Sequence, residues 1–409
     1  MKCFYLIIIF QAGIVTEGTE DKLVIALEPE AASVWCKKLP SNGFITQSQS
    51  RDALDQTPGT QYIVVDCGGG TIDITVHRIL IGGALKELHK ASGNNMGGQT
   101  VDRKFKEFLR EIFCDGIWEE YEENYQSDVQ KMLYDFTFLK RVDDEILISC
   151  PYNLGKLARK KKDIERFFES VDGASWDDGF IRISREKLRS FFDESLLGIT
   201  KSLREILNKD LSIDFILLVG GYAESQILRQ HINEQFGEDY KILCPFRPQE
   251  VILRGAIEFG RNPKMVTSRK SRFTYGVAVV RRFDESTHKL EKKYTAGGND
   301  WCKDIFKTLV REGEDLGWDE TREHELSAVD SNQTGMSVRL FRSERKDPQY
   351  VDDWGVEEVG SLIVKFSDSN SSRERKVKLE IKFGSTEITA TGTDMGTGEE
   401  YTVKFEFKT

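Results

Sequence analysis

The chain has 409 residues, 39% of them hydrophobic and 31% charged, which is typical of a soluble globular protein with about two or three domains. Acidic residues (68) exceed basic ones (58), so the formal net charge is −10 and nucleic acid is not expected as a partner. The seven scattered cysteines form no C-x-x-C pair and no Cys/His cluster. Neither a zinc site nor a disulfide scaffold is predicted, and a reducing, cytoplasmic location is expected.

The first ten residues need separate treatment. Lys2 precedes an apolar run over residues 3–10, which is similar to the core of a short signal peptide. The run is too short to span a bilayer as a helix, so no stable membrane insertion is predicted. We favour the alternative that residues 1–10 are the ragged start of an incomplete chain, because no A-x-A cleavage pattern follows and free cysteines do not suit secretion.

Short apolar runs and turns alternate over the first 80 residues. A buried strand is predicted at residues 23–27, and a helix follows from Glu28, with Pro29 in its first turn. The next apolar runs, at residues 63–65 and 72–76, are rich in β-branched side chains and favour strands. Because only a short glycine-rich segment separates these two runs, they predict a β-hairpin.

The tip of this hairpin carries residues suited to phosphate binding. Consecutive glycines leave backbone N–H groups open to an anion, a threonine adds a hydroxyl donor, and two aspartates suit a hydrated Mg²⁺ ion. The competing interpretation is an ordinary tight turn, which needs only one or two glycines and no hydroxyl or carboxylate after them. We therefore predict a phosphate-binding loop, formed by Asp66, Gly68, Gly69, Gly70, Thr71 and Asp73.

The middle of the chain is predicted to be mostly helical. Charged segments with apolar faces predict helices at residues 101–113, across residues 117–172, and at residues 184–207 with Ser184 as N-cap. Within the second segment, a helix at about residues 154–171 carries the basic run Arg-Lys-Lys-Lys. A solvated helix face is the interpretation that we favour for this run. A wall that attracts a nucleotide is the alternative.

A second glycine pair follows the apolar strand predicted at residues 215–219. Gly220 and Gly221 end that strand, and a helix is predicted to begin near Ala223. This order places backbone N–H groups at a helix N-terminus, where anions bind. A plain strand–helix turn accounts for the same residues equally well, so both interpretations stay open.

A composition change near residue 265 predicts a domain boundary. The helix before it opens at residues 247–250, and Ala256 and Gly260 are expected to allow close packing. We predict a first domain over residues 1–265 and a β-rich, β-sandwich-like domain over residues 266–409, because short alternating runs between polar turns are typical of all-β structure. The predicted strands of the second domain lie at residues 273–280, 337–341, 361–366, 376–383, 387–391 and 401–407.

Five motifs in a fixed order resemble the heat-shock 70 kDa family of the actin-like ATPase superfamily. Three features resemble the divergent class 12 branch of that family. They are the segment A-L-E-P-E-A-A-S at residues 26–33, the Cys in D-C-G-G-G-T, and the segment L-K-E-L-H-K-A-S-G at residues 85–93. The resemblance covers roughly residues 12–409 and implies an α/β chain, with an actin-like ATPase (ribonuclease H-like) nucleotide-binding domain before the β-rich domain. The motifs are A-L-E-P-E-A-A-S (residues 26–33), V-D-C-G-G-G-T-I-D (65–73), M-G-G-Q-T-V-D (96–102), L-L-V-G-G-Y-A-E-S (217–225) and R-P-Q-E-V-I-L-R-G-A (247–256).

The resemblance implies roles for individual residues, with ATP or ADP and Mg²⁺ as ligands. Glu28 resembles the family's glutamate near the attacking water, and Asp66 the carboxylate that contacts magnesium-bound water and helps to orient the nucleophile. Asp73 resembles the second aspartate on the magnesium side. Catalytic roles are implied for Glu28, Asp66 and Thr71. Nucleotide contacts are implied for Gly68, Gly69, Gly70 and Thr71 as second phosphate loop, Gly220 and Gly221 as adenosine motif, and Lys156 and Lys160 within the adenine-side wall.

The sequence departs from the family pattern in three respects. The family's first phosphate hairpin and catalytic lysine are not found in the 25 residues before Ala26, so we expect an N-terminally truncated domain that lacks much of its first subdomain. Tyr222, Ala223 and Glu224 stand where typical members carry Ser, Thr and Arg, which puts adenine stacking by that arginine in doubt. A typical acidic interdomain linker and a long C-terminal helical lid are not evident in the sequence either.

Three hypotheses of function follow. The first is an ATP-binding, chaperone-like protein of the stress response, with weak or absent hydrolysis in this chain and with client or signalling proteins bound through the β-rich domain. Half of a phosphoryl-transfer site is recognisable for it. The second is a non-catalytic protein-interaction module that keeps the fold, because losing one wall of the site should lower hydrolysis by orders of magnitude. The third, a small-molecule kinase, is least favoured because no sugar-site pattern is recognisable.

Overall fold

The computed structural model describes residues 24–45, 54–90, 93–318, 320–328, 333–366, 375–383 and 387–406. The predictions for residues 1–10, residue 23 and residue 407 lie outside these ranges. The chain divides into two compact units. The α/β unit contains Leu27–Gly83 and Ala91–Asn262, and the β-rich unit contains Ala84–Lys90 and the chain from Pro263 onward.

The secondary structure of the described residues is numbered in chain order. The helices are α1 Glu28–Cys36, α2 Gly98–Ile112, α3 Ile117–Asn124, α4 Gln126–Leu139, α5 Tyr152–Arg159, α6 Arg185–Ser190, α7 Asp193–Leu207, α8 Gln226–Phe236 and α9 Glu250–Arg261. The strands are β1 Phe44–Ile45, β2 Gln61–Cys67, β3 Ile72–Ile79, β4 Leu85–Lys90, β5 Ile146–Ser149, β6 Ala174–Asp177, β7 Phe180–Ile183, β8 Phe215–Val219, β9 Lys241–Pro245, β10 Val266–Lys270, β11 Thr274–Arg282, β12 Lys293–Ala296, β13 Asn299–Val310, β14 Asp315–Gly317, β15 Thr321–Ser327, β16 Gly335–Ser343, β17 Val356–Lys365, β18 Lys376–Lys382, β19 Glu387–Asp394 and β20 Glu400–Glu406.

The α/β unit is organised around a mixed sheet with the strand order β1–β9–β8–β2–β3. Strands β9, β8 and β2 run parallel, while β1 and β3 pair antiparallel to their neighbours. Every residue of β2 and β8 is buried, as expected of parallel strands covered on both faces. The strands predicted at residues 63–65, 72–76 and 215–219 are therefore confirmed.

Helices α1 and α9 approach each other so closely at Gly255 that no side chain would fit at this position. Helix α1 begins at Glu28 with Pro29 in its first turn, as predicted. A Cβ atom on Gly255 of α9 would overlap the backbone carbonyl group of Ala31 in α1. The expectation that Gly260 serves close packing is wrong, because this residue is exposed and a Cβ there would meet nothing within 4 Å.

The predicted helical segment over residues 117–172 contains one strand, β5, that the sequence pattern did not reveal. Helix α5 ends at Arg159 rather than near residue 171. Strand β5, which precedes α5, forms a small antiparallel sheet with β6 and β7, which follow residue 172, and the strand order is β5–β7–β6. In β5, buried and exposed residues alternate, but four residues are too few for that alternation to stand out among the charged helices around it.

Further elements differ from the prediction, among them the helix expected at residues 184–207, which is divided into α6 and α7. Residues 24–27 are not a strand, because no neighbouring strand pairs with them in the part of the chain that is described. Helix α8 begins at Gln226 with Ser225 as N-cap, and a 3₁₀ turn at Gly221–Glu224 precedes it. No helix of the described residues is long and apolar enough to cross a membrane.

The β-rich unit contains two antiparallel sheets that share one apolar core. Their strand orders are β12–β13–β11–β16–β17 and β15–β18–β19–β20, and β10 pairs with β4 and β14 beside them. The strands predicted after residue 265 are present within the described residues, whereas β10, β12, β13, β14 and β15 were not predicted. The shared core includes Tyr275, Val277, Leu340 and Val364 from the first sheet and Val377, Leu379, Ile381 and Ile388 from the second.

Candidate functional site

The buried carboxyl group of Asp66 lies where two parallel strands end. Asp66 of β2 is in register with Val219 of β8, so Gly220 follows directly beside it. Gly220 has φ +87°, and a Cβ there would lie 2.5 Å from Oδ1 of Asp66. Only glycine both adopts this positive φ readily and leaves room for the Asp66 side chain. The carboxyl ends of parallel strands are the usual ligand-binding edge of an α/β sheet.

The electrostatic environment of Asp66 favours its neutral form. The residue is 2% exposed, and neither carboxyl oxygen accepts a hydrogen bond from a fixed donor in the described residues. Burial raises the pKa of Asp66 to about 8, with smaller contributions from the charge of Glu28, a hydrogen bond with Glu28 and the charge of Asp73. Because both partners are carboxyls, the bond with Glu28 needs a proton on one of them. A buried polar group without a permanent partner is costly, and perturbed carboxyls of this kind cluster at functional sites.

The glycine turn between β2 and β3 is held from behind by the start of helix α2. The N–H groups of Gly98 and Gln99 donate to the carbonyl oxygens of Gly68 (3.1 Å) and Gly69 (2.7 Å). These bonds satisfy helix-terminal donors that would otherwise lack partners. The N-terminus of α2 therefore supports the turn and is not itself an open anion site.

The outer side of the same turn leaves donors available. Gly69, Gly70 and Thr71 are exposed, and their N–H groups donate no backbone hydrogen bond within the described chain. Three successive free N–H groups beside a hydroxyl form an arrangement that can cradle a phosphate. This geometry agrees with the predicted phosphate loop, whose role remains a prediction.

Asp73 faces Asp66 across the hairpin. The two residues are direct partners in the β2–β3 register, so their side chains leave the same face of the hairpin. The Thr71 hydroxyl donates to Oδ2 of Asp73 at 3.2 Å. A Cβ on Gly93 would lie 2.5 Å from Oδ1 of Asp73, so the segment after residue 92 approaches this carboxylate closely.

The carboxylates suit a hydrated cation better than a protein cage. No cluster of three or more His, Cys, Asp or Glu side chains that could hold a metal ion occurs within the described ranges. Magnesium, however, is commonly held through one or two carboxylates, with waters and phosphate oxygens completing its octahedron. Asp66 and Asp73, on facing positions with Glu28 near Asp66, fit this second mode.

A Lys–Asp pair lies at the start of helix α2, with its aspartate in the M-G-G-Q-T-V-D motif. This pair was not predicted from the sequence. Lys140, 8% exposed, donates to the carbonyl oxygen of Gly98 at 2.7 Å and to Oδ1 of Asp102 at 2.6 Å. Burial lowers the pKa of Lys140 and raises that of Asp102, while each partner's charge opposes the shift. Asp102 belongs to the M-G-G-Q-T-V-D motif, but nothing in the sequence around Lys140 indicates its partner.

Tyr222 fills the space beside this pair. Its ring packs on Phe192 with 6.0 Å between ring centres, and its hydroxyl donates to Oγ of Ser195 at 3.1 Å. A Cβ on Gly98 would lie 3.4 Å from the Tyr222 ring. The residue that follows the Gly220–Gly221 pair is therefore a buried packing residue, 5% exposed.

The remaining predicted contacts lie in different surroundings. The N–H of Gly220 donates to the carbonyl of Pro248 at 3.0 Å, and Gly221 opens the 3₁₀ turn, so neither lies at the N-terminus of α8. Lys156 and Lys160 are exposed on α5 and at its C-cap. No hydrogen bond or ion pair of the described residues joins these two lysines to the glycine segments.

Two residues of the basic run, Arg159 and Lys162, lie over aromatic rings. The Arg159 guanidinium is 5.9 Å from the centre of the Trp176 ring, and the Lys162 ammonium is 4.1 Å from that of Phe167. Cation–π contacts of this kind hold basic side chains on a solvated surface. They are compatible with the favoured interpretation of this run as a solvated face.

A mixed sheet with a glycine hairpin and a buried aspartate at its ligand-binding edge, followed by a β-rich region, defines an actin-like ATPase fold with an additional β region. The Hsp70 protein family model matches residues 53–260, just over half of the chain, and the chain belongs to the Hsp70 family. The predicted resemblance to the class 12 branch is confirmed by the relatives.

Three relatives illustrate the similarity. The chain is 29% identical to heat shock 70 kDa protein 12A of Homo sapiens and 27% identical to heat shock 70 kDa protein 12B of the same species, in each case over 97% of this chain and 67% of the relative. It is 24% identical to the Chaperone protein DnaK of Elusimicrobium minutum, over 50% of this chain and 31% of that protein.

Proposed function

We propose that this chain binds ATP or ADP with Mg²⁺ at the hairpin tip and the adjoining Gly220–Gly221 segment, and that it acts as a chaperone-like protein of the cytoplasm with weak or absent hydrolysis. One observation carries the nucleotide site. Asp66 is a buried carboxyl without a fixed hydrogen-bond donor, and it lies where two glycine motifs meet. Membership of the Hsp70 family supports nucleotide binding.

Each residue of the site has a defined task under this proposal. Magnesium nucleotide, when bound, supplies the phosphoanhydride and a divalent positive charge. The N–H groups of Gly69, Gly70 and Thr71 bind phosphate oxygens, and the carboxylates of Asp66 and Asp73 accept hydrogen bonds from magnesium-bound water. A nearby cation favours the ionised form of Asp66, so the raised pKa should fall when the site is filled.

Weak hydrolysis is proposed because positive charge is scarce at the loop. Phosphoryl transfer depends on fixed cations that stabilise the charge of the transition state. Within the described ranges, no lysine or arginine forms a hydrogen bond or ion pair with Asp66 or residues 68–71. Lys140 is already engaged by Asp102 and Gly98, and Glu224 rather than an arginine follows the second glycine pair.

A non-catalytic interaction module is the second candidate. It is favoured by the buried Tyr222 after the Gly220–Gly221 pair, because its hydroxyl is bonded to Ser195 and its ring is 5% exposed. Under this alternative, client or signalling proteins bind through the predicted β-rich domain of residues 266–409, and the predicted domain of residues 1–265 keeps its fold without turnover. Nucleotide binding without hydrolysis is compatible with both candidates.

Titration calorimetry of the purified chain with ADP and ATP, each with Mg²⁺, tests the site. We expect saturable binding that weakens about tenfold or more in Asp66→Asn, since interactions with charged groups contribute roughly 1.5–3 kcal/mol. Asp239→Asn is the matched control, because Asp239 is an exposed aspartate of the same unit. Absence of saturable binding, or equal affinity in Asp66→Asn, would refute the proposed site.

A single-turnover assay with γ-labelled ATP tests the hydrolysis proposal separately. We expect phosphate release close to the uncatalysed background in both wild type and Asp66→Ala. Turnover equal to that of a full-length class 12 relative, and lost in Asp66→Ala, would contradict weak hydrolysis while leaving nucleotide binding intact.

A further inference from the structure

The two sheets of the β-rich unit do not fill the space between them at one end. A cavity of about 540 Å³ lies there, between β11, β13 and β16 of one sheet and β15 of the other. The cavity is partly open to solvent, so a ligand can reach its walls. It lies within the range of roughly 300–1,000 Å³ that small-molecule sites occupy.

The inner wall of the cavity is apolar because it continues the core. Val279 follows the inward-facing row of β11, and Leu326 of β15 and Met336 of β16 reach the same core from the other strands. Each of the three is packed against the core without being fully buried. An aliphatic chain placed along them would remove this remaining apolar surface from water.

Two cations, Arg281 and Lys307, line the cavity, and the region around them is called its mouth. Arg281 lies two residues beyond Val279 on β11, and Lys307 of β13 is the register partner of the buried Val277. Within the described ranges, neither side chain takes part in an ion pair or hydrogen bond. Burial lowers the pKa of Lys307, and the positive charge of Arg281 lowers it further, as expected for two like charges near each other.

One carboxylate also borders the cavity. Glu325 lines it, but it belongs to the exposed set of residues that alternates along β15 with the half-buried ones. Among the described lining residues, the net charge is therefore +1, from Arg281 and Lys307 against Glu325.

We propose that this sandwich cavity binds an aliphatic carboxylate, with the carboxylate between Arg281 and Lys307 and the chain along Val279, Leu326 and Met336. An anion at the mouth would satisfy two cations that otherwise repel each other. The apolar wall adds affinity with each buried methylene, about threefold to fourfold per group. The site is independent of the nucleotide proposal, since every residue named belongs to the β-rich unit.

Calorimetric titration of the full chain with decanoate tests the site. We expect saturable binding, tightening about threefold to fourfold per methylene from octanoate to dodecanoate below their micellar concentrations. Decanol, which lacks the charge, and decyltrimethylammonium, which reverses it, should bind at least about tenfold more weakly, because hydrogen bonds to charged groups are among the strong ones. No saturable decanoate binding, or decanol binding as tightly as decanoate, would overturn the proposal.

Variants that remove one positive charge test whether Arg281 and Lys307 bind the carboxylate. Arg281→Met and Lys307→Met keep the aliphatic stems, and each should weaken decanoate binding about tenfold while leaving decanol binding unchanged. Lys303→Met is the matched control, because Lys303 is an exposed lysine on β13, the strand of Lys307, and lies outside the cavity lining. Arg281 is itself exposed, so its variant keeps the test valid if Lys307→Met fails to fold. Equal loss of decanoate affinity in Lys303→Met, or none in Arg281→Met, would refute the site.

Discussion

Gly220 lies so close to Asp66 that the space for the aspartate side chain depends on the missing Cβ. The parallel register of β2 and β8 sets this proximity, because Asp66 is paired with Val219 and the next residue turns across it. A Cβ at position 220 would lie 2.5 Å from Oδ1 of Asp66. The glycine that ends one strand therefore determines where the carboxyl group of the neighbouring strand can point.

Gly220→Ala tests this dependence. We expect the variant to lose at least about tenfold in affinity for magnesium nucleotide, because Asp66 must move, and to be destabilised by about 1–3 kcal/mol, because φ is +87° at this position. Titration calorimetry and thermal unfolding measure the two effects. Gly59→Ala is the control, since Gly59 also has a positive φ (+103°) but is exposed and a Cβ there would meet nothing within 4 Å, so stability should fall without loss of nucleotide affinity. Equal nucleotide affinity in Gly220→Ala and wild type would contradict the expectation.

The raised pKa of Asp66 predicts a pH dependence of stability. The folded-state pKa is about 8, compared with an ordinary value of 3.8. Between these values the unfolded state holds fewer protons than the folded state, so the free energy of unfolding should fall as pH rises, by at most about 1.4 kcal/mol per pH unit. Above the folded pKa the slope should disappear.

Urea denaturation of wild type and Asp66→Asn between pH 5 and pH 9 measures this effect. The variant cannot titrate at position 66, so its stability relative to wild type should increase with pH up to about 8. Asp239→Asn should follow wild type throughout. A constant difference between wild type and Asp66→Asn across this range would show that the folded pKa of Asp66 is not raised.

The central hairpin and strand could be predicted because their signals are local. β8 is apolar over its whole length, and β2 and β3 each contain a run rich in β-branched residues, so few alternatives compete with a strand there. The glycine run and the two aspartates lie within residues 66–73, so the hairpin itself brings them together.

Features that depend on distant partners could not be predicted in the same way. Gly255 looked no different from Gly260 in the sequence, yet only Gly255 faces Ala31 across the helix pair. Lys140 is separated from Asp102 by 38 positions, and no spacing rule connects them. The helix expected near Ala223 begins three residues later because the Ser225 hydroxyl caps it, and such a cap is one of several candidates in the sequence.

The Lys140–Asp102 pair predicts a strong energetic coupling. Lys140→Met should cost about 2–4 kcal/mol of stability, because it leaves the Asp102 carboxylate and the Gly98 carbonyl without their partner. Asp102→Leu should be destabilising for the corresponding reason, and the double variant should recover most of the loss. Urea denaturation of all four proteins gives the coupling free energy. Additive effects of the two substitutions would mean that the pair contributes no mutual stabilisation.

Two glycines of helix α9, Gly255 and Gly260, allow a matched test of its contact with helix α1. Gly255→Ala should destabilise the protein by at least about 3 kcal/mol, because the new methyl group overlaps the backbone carbonyl of Ala31 and the backbone cannot rotate away as a side chain would. Gly260→Ala should be neutral or stabilising by up to about 1 kcal/mol, since its Cβ would point into open space and alanine favours helix. Scanning calorimetry of both variants measures the difference. Equal unfolding temperatures of Gly255→Ala and Gly260→Ala would contradict the close contact between α1 and α9.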